Sequence, residues 1–248
     1  MHNHERGDNV ALITSGGSEL GAAIAFQLLS SGTKVILCGR RGGFVKELEE
    51  QFPRQVFALR FDVTNSIDVA RALANIDVPF ANVDVLINNA GMDLDWTSKQ
   101  RKQLTYLKRT LTNCQSLVRV ARHVIPGMLN RGSGVVINIG WTQEEVLCHV
   151  SNTSYAAKVF IKQFIKDLNT DLVGSGVRLT GLDLSLCDNP QSYMVRFHCE
   201  EAQAAYANGS IACFSKNDIA KAVLSEATRL TLLTTAGFYD ARPNWRGR

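Results

Sequence analysis

Short apolar runs and amphipathic helical stretches take turns along nearly the whole chain, and that alternation leaves few folds open. Residues 10–14, Val-Ala-Leu-Ile-Thr, form an apolar run that ends in a Gly/Ser turn, as a strand buried on both faces should. Residues 20–31 carry apolar side chains at helical spacing and stop at Gly32. The same reading gives strands at 34–38, 56–63, 83–88, 134–139 and 177–182. Helices are expected at 44–51, 66–74, 99–125 and 152–173, the third ending near Pro126 and Met128. Strands separated by helices must run parallel, because a tight hairpin can join only antiparallel neighbours. The expectation is one α/β domain spanning 1–248, a doubly wound parallel sheet of the Rossmann type with its ligand crevice at the strand C-termini.

Composition narrows the setting. No window nears the ~20 apolar residues of a membrane span, and residues 1–8 lack the apolar core of a signal peptide, so they are expected to be a flexible tail on a cytoplasmic protein. Cys38, Cys114, Cys148, Cys187, Cys199 and Cys213 show no CxxC spacing and are expected to be reduced, mostly buried thiols. His2 and His4 have no further ligands nearby, so no metal is expected. The net charge of +4 includes a cluster at Lys99, Arg101, Lys102, Lys108 and Arg109, read as a solvated helix face with no nucleic-acid motif beside it. Glu144 and Glu145 read as a solvated turn.

Several segments together resemble the short-chain dehydrogenase/reductase family. Asn88-Asn89-Ala90-Gly91 follows the fourth strand as that family's NNAG signature does, and Asp62-Val63 stands where the family contacts adenine. Asn113 matches the active-site asparagine, and Lys158 with residues 159–164 matches the catalytic helix. That run and Val195-Arg196-Phe197 are most similar to the bacterial NADP-dependent 3-hydroxy acid dehydrogenase branch. The resemblance implies a dinucleotide and a small-molecule ligand as partners, and a homo-oligomer, dimer or tetramer, through the two long helices.

The functional positions depart from the family. Its first turn reads TGxxxGxG, and here Thr14-Ser15-Gly16-Gly17-Ser18-Glu19-Leu20-Gly21 keeps only the last of those glycines. Glycine there lets the backbone turn tightly and approach the phosphates at a helix N-terminus. Glu19 leaves two alternatives open: a carboxylate that weakens cofactor binding by like-charge contact, or one that swings outward and complements the helix dipole. Ser15, Leu20 and Gly21 are the turn's candidate cofactor contacts, with Asp62, Val63, Asn89, Ala90, Gly91 and Lys158 beyond it. Arg40 and Arg41 end the second strand where an acid would hold the ribose of NAD, and they suit the 2′-phosphate of NADP(H).

The resemblance implies a tyrosine four residues before Lys158 and a serine thirteen before that. Those positions hold Ser154 and Trp141. An alcohol's pKa lies far above a phenol's, and an indole only donates, so neither can take over the proton chemistry. Tyr155 and Thr142 stand one residue further on, also thirteen apart. A displaced Thr142/Tyr155/Lys158 set would rebuild the chemistry, though one helical residue turns a side chain by about 100°. Two functions follow: a family member with impaired or lost oxidoreductase chemistry that still binds NADP(H), or an NADPH-dependent carbonyl reductase or hydroxy-acid dehydrogenase working from the displaced set. Leu184-Ser185 replaces the family's Pro-Gly step after the sixth strand.

Overall fold

The computed structural model describes residues 9–39, 43–63, 65–76, 80–89, 103–141, 152–186, 192–197 and 214–236. Among the described residues, fourteen elements follow one another: β1 (Val10–Thr14), α1 (Glu19–Ser30), β2 (Lys34–Cys38), α2 (Gly43–Gln51), β3 (Val56–Leu59), α3 (Ser66–Ala74), β4 (Val85–Asn88), α4 (Gln103–Arg131), β5 (Gly134–Trp141), α5 (Asn152–Asp171), β6 (Val177–Leu186), β7 (Ser192–Phe197), β8 (Phe214–Ser215) and α6 (Lys216–Ala236). They build an eight-stranded sheet in the order β3-β2-β1-β4-β5-β6-β7-β8. The first six strands are parallel.

The period-2 alternation of the central strands sorts their side chains into two cores. Ala11, Ile13, Val35, Leu37, Val85 and Ile87 face one side, where Leu20, Ile24 and Leu28 of α1 meet Ile219, Ala220 and Val223 of α6. Val10, Leu12, Ile36, Leu86 and Val136 face the other, against Val120, Val124 and Met128 of α4, Ile165 of α5 and Leu172 just beyond it. Helices on both faces are what parallel crossovers demand.

The six parallel strands form the doubly wound sheet expected from the sequence, and two further strands extend it: β7 pairs antiparallel with β6, and β8 with β7. Only five residues separate Leu186 from Ser192, too few for a helical crossover, so alternation of strand and helix could not reveal these strands. The long helix does not end at Pro126 and Met128 but runs on to Arg131, with the proline inside it. A proline removes one amide bond to the preceding turn, and here the packing of Val124, Ile125 and Met128 carries the helix past it. Gly134 then fits β5 tightly, since a Cβ there would meet Met128 Cγ at 2.5 Å.

The short elements carry visible stop signals. α1 ends where Gly32 takes φ +89°. There the amides of Gly32 and Thr33 return to the carbonyls of Leu29 and Leu28, a Schellman closure. Cys38 and Cys114 are buried, and burial pushes both thiols up in pKa. The other four cysteines, the tail at 1–8, Lys99, Arg101, Lys102, Glu144 and Glu145 lie outside the described residues. Among the described residues, no helix is long and apolar enough to cross a membrane.

Candidate active site

The strand order reverses between β1 and β4, so the two crossovers leave opposite faces and open a crevice at the strand C-termini. Thr14 closes β1 on that edge, Asn88 closes β4, and Trp141 closes β5 in register with Leu184 of β6. The turn from β1 into α1 is therefore the first wall of the site.

That turn folds as a glycine turn would, with little of the glycine. Ser15 sits at φ +52°, the left-handed conformation that an L residue adopts at a cost. Gly16 donates its amide to Cys38 O at 2.9 Å, and a Cβ on it would meet Leu37 Cδ2 at 2.8 Å. Gly21 is irreplaceable sterically, since a Cβ would lie 2.4 Å from Ser15 O. Ser18 caps α1, its Oγ accepting from Gly21 N at 3.1 Å and from Asn89 Nδ2 at 3.1 Å. Asn89 ties the turn to the end of β4: its amide N donates to Thr14 Oγ1 at 2.9 Å, and its Nδ2 to Ser15 O at 3.4 Å. The amides of Glu19 and Leu20 belong to the first turn of α1, where a helix has no acceptor of its own to offer.

Glu19 opens α1, where a carboxylate favours the helix dipole. Its Oε2 forms an ion pair with Lys216 Nζ, from the first residue of α6. The contact joins residues 197 apart in sequence. Lys216 was not among the site residues read from the sequence. Its one local signal was Ser215-Lys216-Asn217-Asp218, a capping-box pattern that marks a helix start.

Buried polar atoms gather beside the turn. Asn88 Nδ2 donates to Asn138 Oδ1 at 2.7 Å across β4 and β5. Asn88 Oδ1, Asn138 Nδ2 and Asn89 Oδ1 are buried without a hydrogen-bond partner among the described residues. Unsatisfied buried amides are rare and call for a polar ligand or water. Asn138 too was missed, because an asparagine inside an apolar strand signals nothing until its neighbour across the ladder is known.

A model of the short chain dehydrogenase family matches residues 9–194. The chain belongs to the short-chain dehydrogenase family. It is 30% identical over 215 residues to an NADP-dependent 3-hydroxy acid dehydrogenase of Escherichia coli, covering 86% of this chain and 87% of that one. Among solved structures, serine dehydrogenase from Escherichia coli superposes with a TM-score of 0.71 at 27% identity, over 88% of this chain and 91% of the other. A closed form of serine dehydrogenase complexed with NADP+ also gives a TM-score of 0.71, at 25% identity over 96% of this chain and all of the other, 100%.

The remaining candidate site residues read from the sequence distribute as follows. Asn113 lies on α4; Ser154, Tyr155 and Lys158 lie on α5, which is one uninterrupted helix. Lys158 thus stands four residues from Ser154 and three from Tyr155, spacings that both leave residues neighbours on a helix surface. Asp62 and Val63 sit beyond β3 in the turn before α3, where Arg119 Nη1 donates to Val63 O at 3.0 Å. Arg40, Arg41, Ala90, Gly91 and Thr142 lie outside the described residues.

Proposed function

We propose that this chain binds NADP(H) in the crevice beside β1 and β4, and that its oxidoreductase chemistry is impaired or lost. The observation that carries the binding half is the turn itself. Ser15 takes up φ +52° in place of a glycine, and Glu19 is committed to Lys216, so neither substitution closes the turn. Asn89 Oδ1 beside it, without a partner among the described residues, is a group that a polar ligand would satisfy. The names of the relatives, NADP-dependent and NADP+-bound, support the same cofactor.

In this reading Ser15, Leu20 and Gly21 offer backbone to the phosphates. Arg40 and Arg41 hold the 2′-phosphate, Asp62 and Val63 the adenine, and Asn89, Ala90, Gly91 and Lys158 the nicotinamide half. When bound, the dinucleotide supplies or accepts a hydride. The chain must then move a proton, and there it falls short. Ser154 has no phenol for Lys158 to stabilise, and Trp141 has only an N–H to donate. Loss of a positioned acid/base costs about 10²–10⁴ in rate.

The test is a calorimetric titration with NADPH, and NADH alongside, followed by turnover of carbonyl substrates. Expected are saturable binding with NADPH preferred, turnover well below the ordinary ~10 per second, and a gain of turnover in the Trp141→Ser/Ser154→Tyr double variant. No heat with either nucleotide would overturn the binding reading, and ordinary rates in the unmodified protein would overturn the loss of chemistry.

A second reading is supported by the placement of Tyr155 and Lys158 one turn apart on α5, and by relatives named as dehydrogenases over most of their length. It makes the chain an active NADPH-dependent reductase or hydroxy-acid dehydrogenase using Thr142, Tyr155 and Lys158, with Asn113 in support. It requires Tyr155→Phe to abolish turnover while leaving NADPH affinity unchanged. Both readings place the protein in the cytoplasm as a homo-oligomer through α4 and α5.

A further inference from the structure

The first turn of α6 holds a lysine where helix electrostatics disfavour one. The positive end of a helix dipole repels a cation, and Lys216 is the first residue of α6. Its backbone is held by a reciprocal cap. Ser215 N and Oγ donate to Asp218 Oδ2 at 3.0 and 2.7 Å, and Asp218 N returns a bond to Ser215 Oγ at 3.2 Å. Lys216 gains nothing from this local frame. Its partner is tertiary: the Glu19 carboxylate, at the position where the family turn has a glycine.

The pair also bridges two elements that already pack. α6 buries Ile219, Ala220 and Val223 against the core face that α1 covers with Ile24 and Leu28. The apolar contact sets the two helix starts beside each other, and the side chains of Glu19 and Lys216 meet at 64% and 30% exposure. An ion pair this open stabilises a fold little. Its effect lies in where it leaves the charge.

We propose that Lys216 is a positioning residue that makes a carboxylate tolerable in the dinucleotide turn: it neutralises Glu19, holds it on the α6 side of the turn, and thereby sets the affinity and salt dependence of NADP(H) binding. The inference rests on the nucleotide-binding reading above. Without Lys216, the Glu19 charge stands uncompensated at the helix start that the phosphates approach. Like charges in such a place repel, and salt screens that repulsion.

The experiment is NADPH titration by calorimetry at low and at physiological salt, for the whole chain and four variants: Lys216→Met, Lys216→Arg, Glu19→Gln and Glu19→Gln/Lys216→Met. Thermal unfolding of each without nucleotide is read alongside, and Lys216→Gln replaces the Met variant should that one not fold. Lys216→Met is expected to weaken binding about three- to tenfold at low salt and less at physiological salt. The double variant should return to wild-type affinity, Lys216→Arg should keep it, and Glu19→Gln alone should bind as tightly or more tightly. If the double variant stays as weak as Lys216→Met, the lysine acts on the nucleotide or the fold directly and the inference is overturned. Equal affinity in all five proteins overturns it too, while leaving nucleotide binding intact. No binding by any of them overturns the nucleotide reading itself, and the inference with it.

Discussion

Ser15 and Asn169 show how single residues hold this fold, and each gives a measurable expectation. Ser15 bears left-handed strain at φ +52°. Relief of that strain is worth about 1–2 kcal/mol, and the added chain entropy of glycine takes back about 0.5–1 kcal/mol. Ser15→Gly is therefore expected to leave stability unchanged or raise it by about 1 kcal/mol, while the β-branched Ser15→Val lowers it. Chemical denaturation decides between them. Asn169, on α5, acts as a piece of strand. Its Nδ2 donates to Leu179 O at 2.9 Å, and its Oδ1 accepts from Leu179 N at 3.0 Å. β7 pairs only residues 182–186 of β6, so this side chain completes the ladder where β7 stops short. Asn169→Ala leaves a strand N–H and C=O without partners and should cost about 1–3 kcal/mol. A loss below a few tenths would show that water replaces the amide.

At the scale of elements, α6 depends on its cap. The Ser215 hydroxyl and amide beside Asp218 hold its carboxyl below the usual range, with Lys221 adding a smaller effect. A carboxylate whose pKa is lowered by folding stabilises the protein above its unfolded pKa, and that contribution fades as pH falls through the folded value. Ser215→Ala should thus cost about 1 kcal/mol near neutrality, with the gap to wild type narrowing below about pH 4. Unfolding curves across pH 2–7 would show it, and a gap that widens in acid would refute the assignment. The interior proline belongs to the same scale. Pro126 reads as a helix end in sequence, yet α4 continues because the apolar side chains around it are held by the sheet.

For the whole molecule, the outer surface of α5 bears on assembly. Phe160 is 44% exposed and stacks on Phe164 with ring centroids 6.1 Å apart, an aromatic pair facing out of the helix layer. Association through α4 and α5 would cover it. Wild type is then expected to elute as a dimer or tetramer, and Phe160→Lys as a smaller species with unchanged circular dichroism. A monomeric wild type would remove that expectation. The molecule also explains how Glu19 and Lys216 come together: α1 and α6 share one core face, so a residue at the start of each can meet.

The sequence by itself determined the order of the first six strands' elements, the parallel sheet they form and the position of the crevice. Those follow from local periodicity, turn residues and the crossover rule, all of which a single chain displays. The reading that Trp141 and Ser154 take the places of the family's serine and tyrosine also rests on the sequence, because spacing from Lys158 is one-dimensional. Only the tertiary structure decided the antiparallel β7 and β8, the Asn88–Asn138 amide pair, and the partner of Glu19. Each is a contact between segments whose local patterns say nothing of one another. The charge of Glu19 could be read from its letter, but its direction depended on a lysine 197 residues away, brought there by apolar packing of two helices on one face of a sheet.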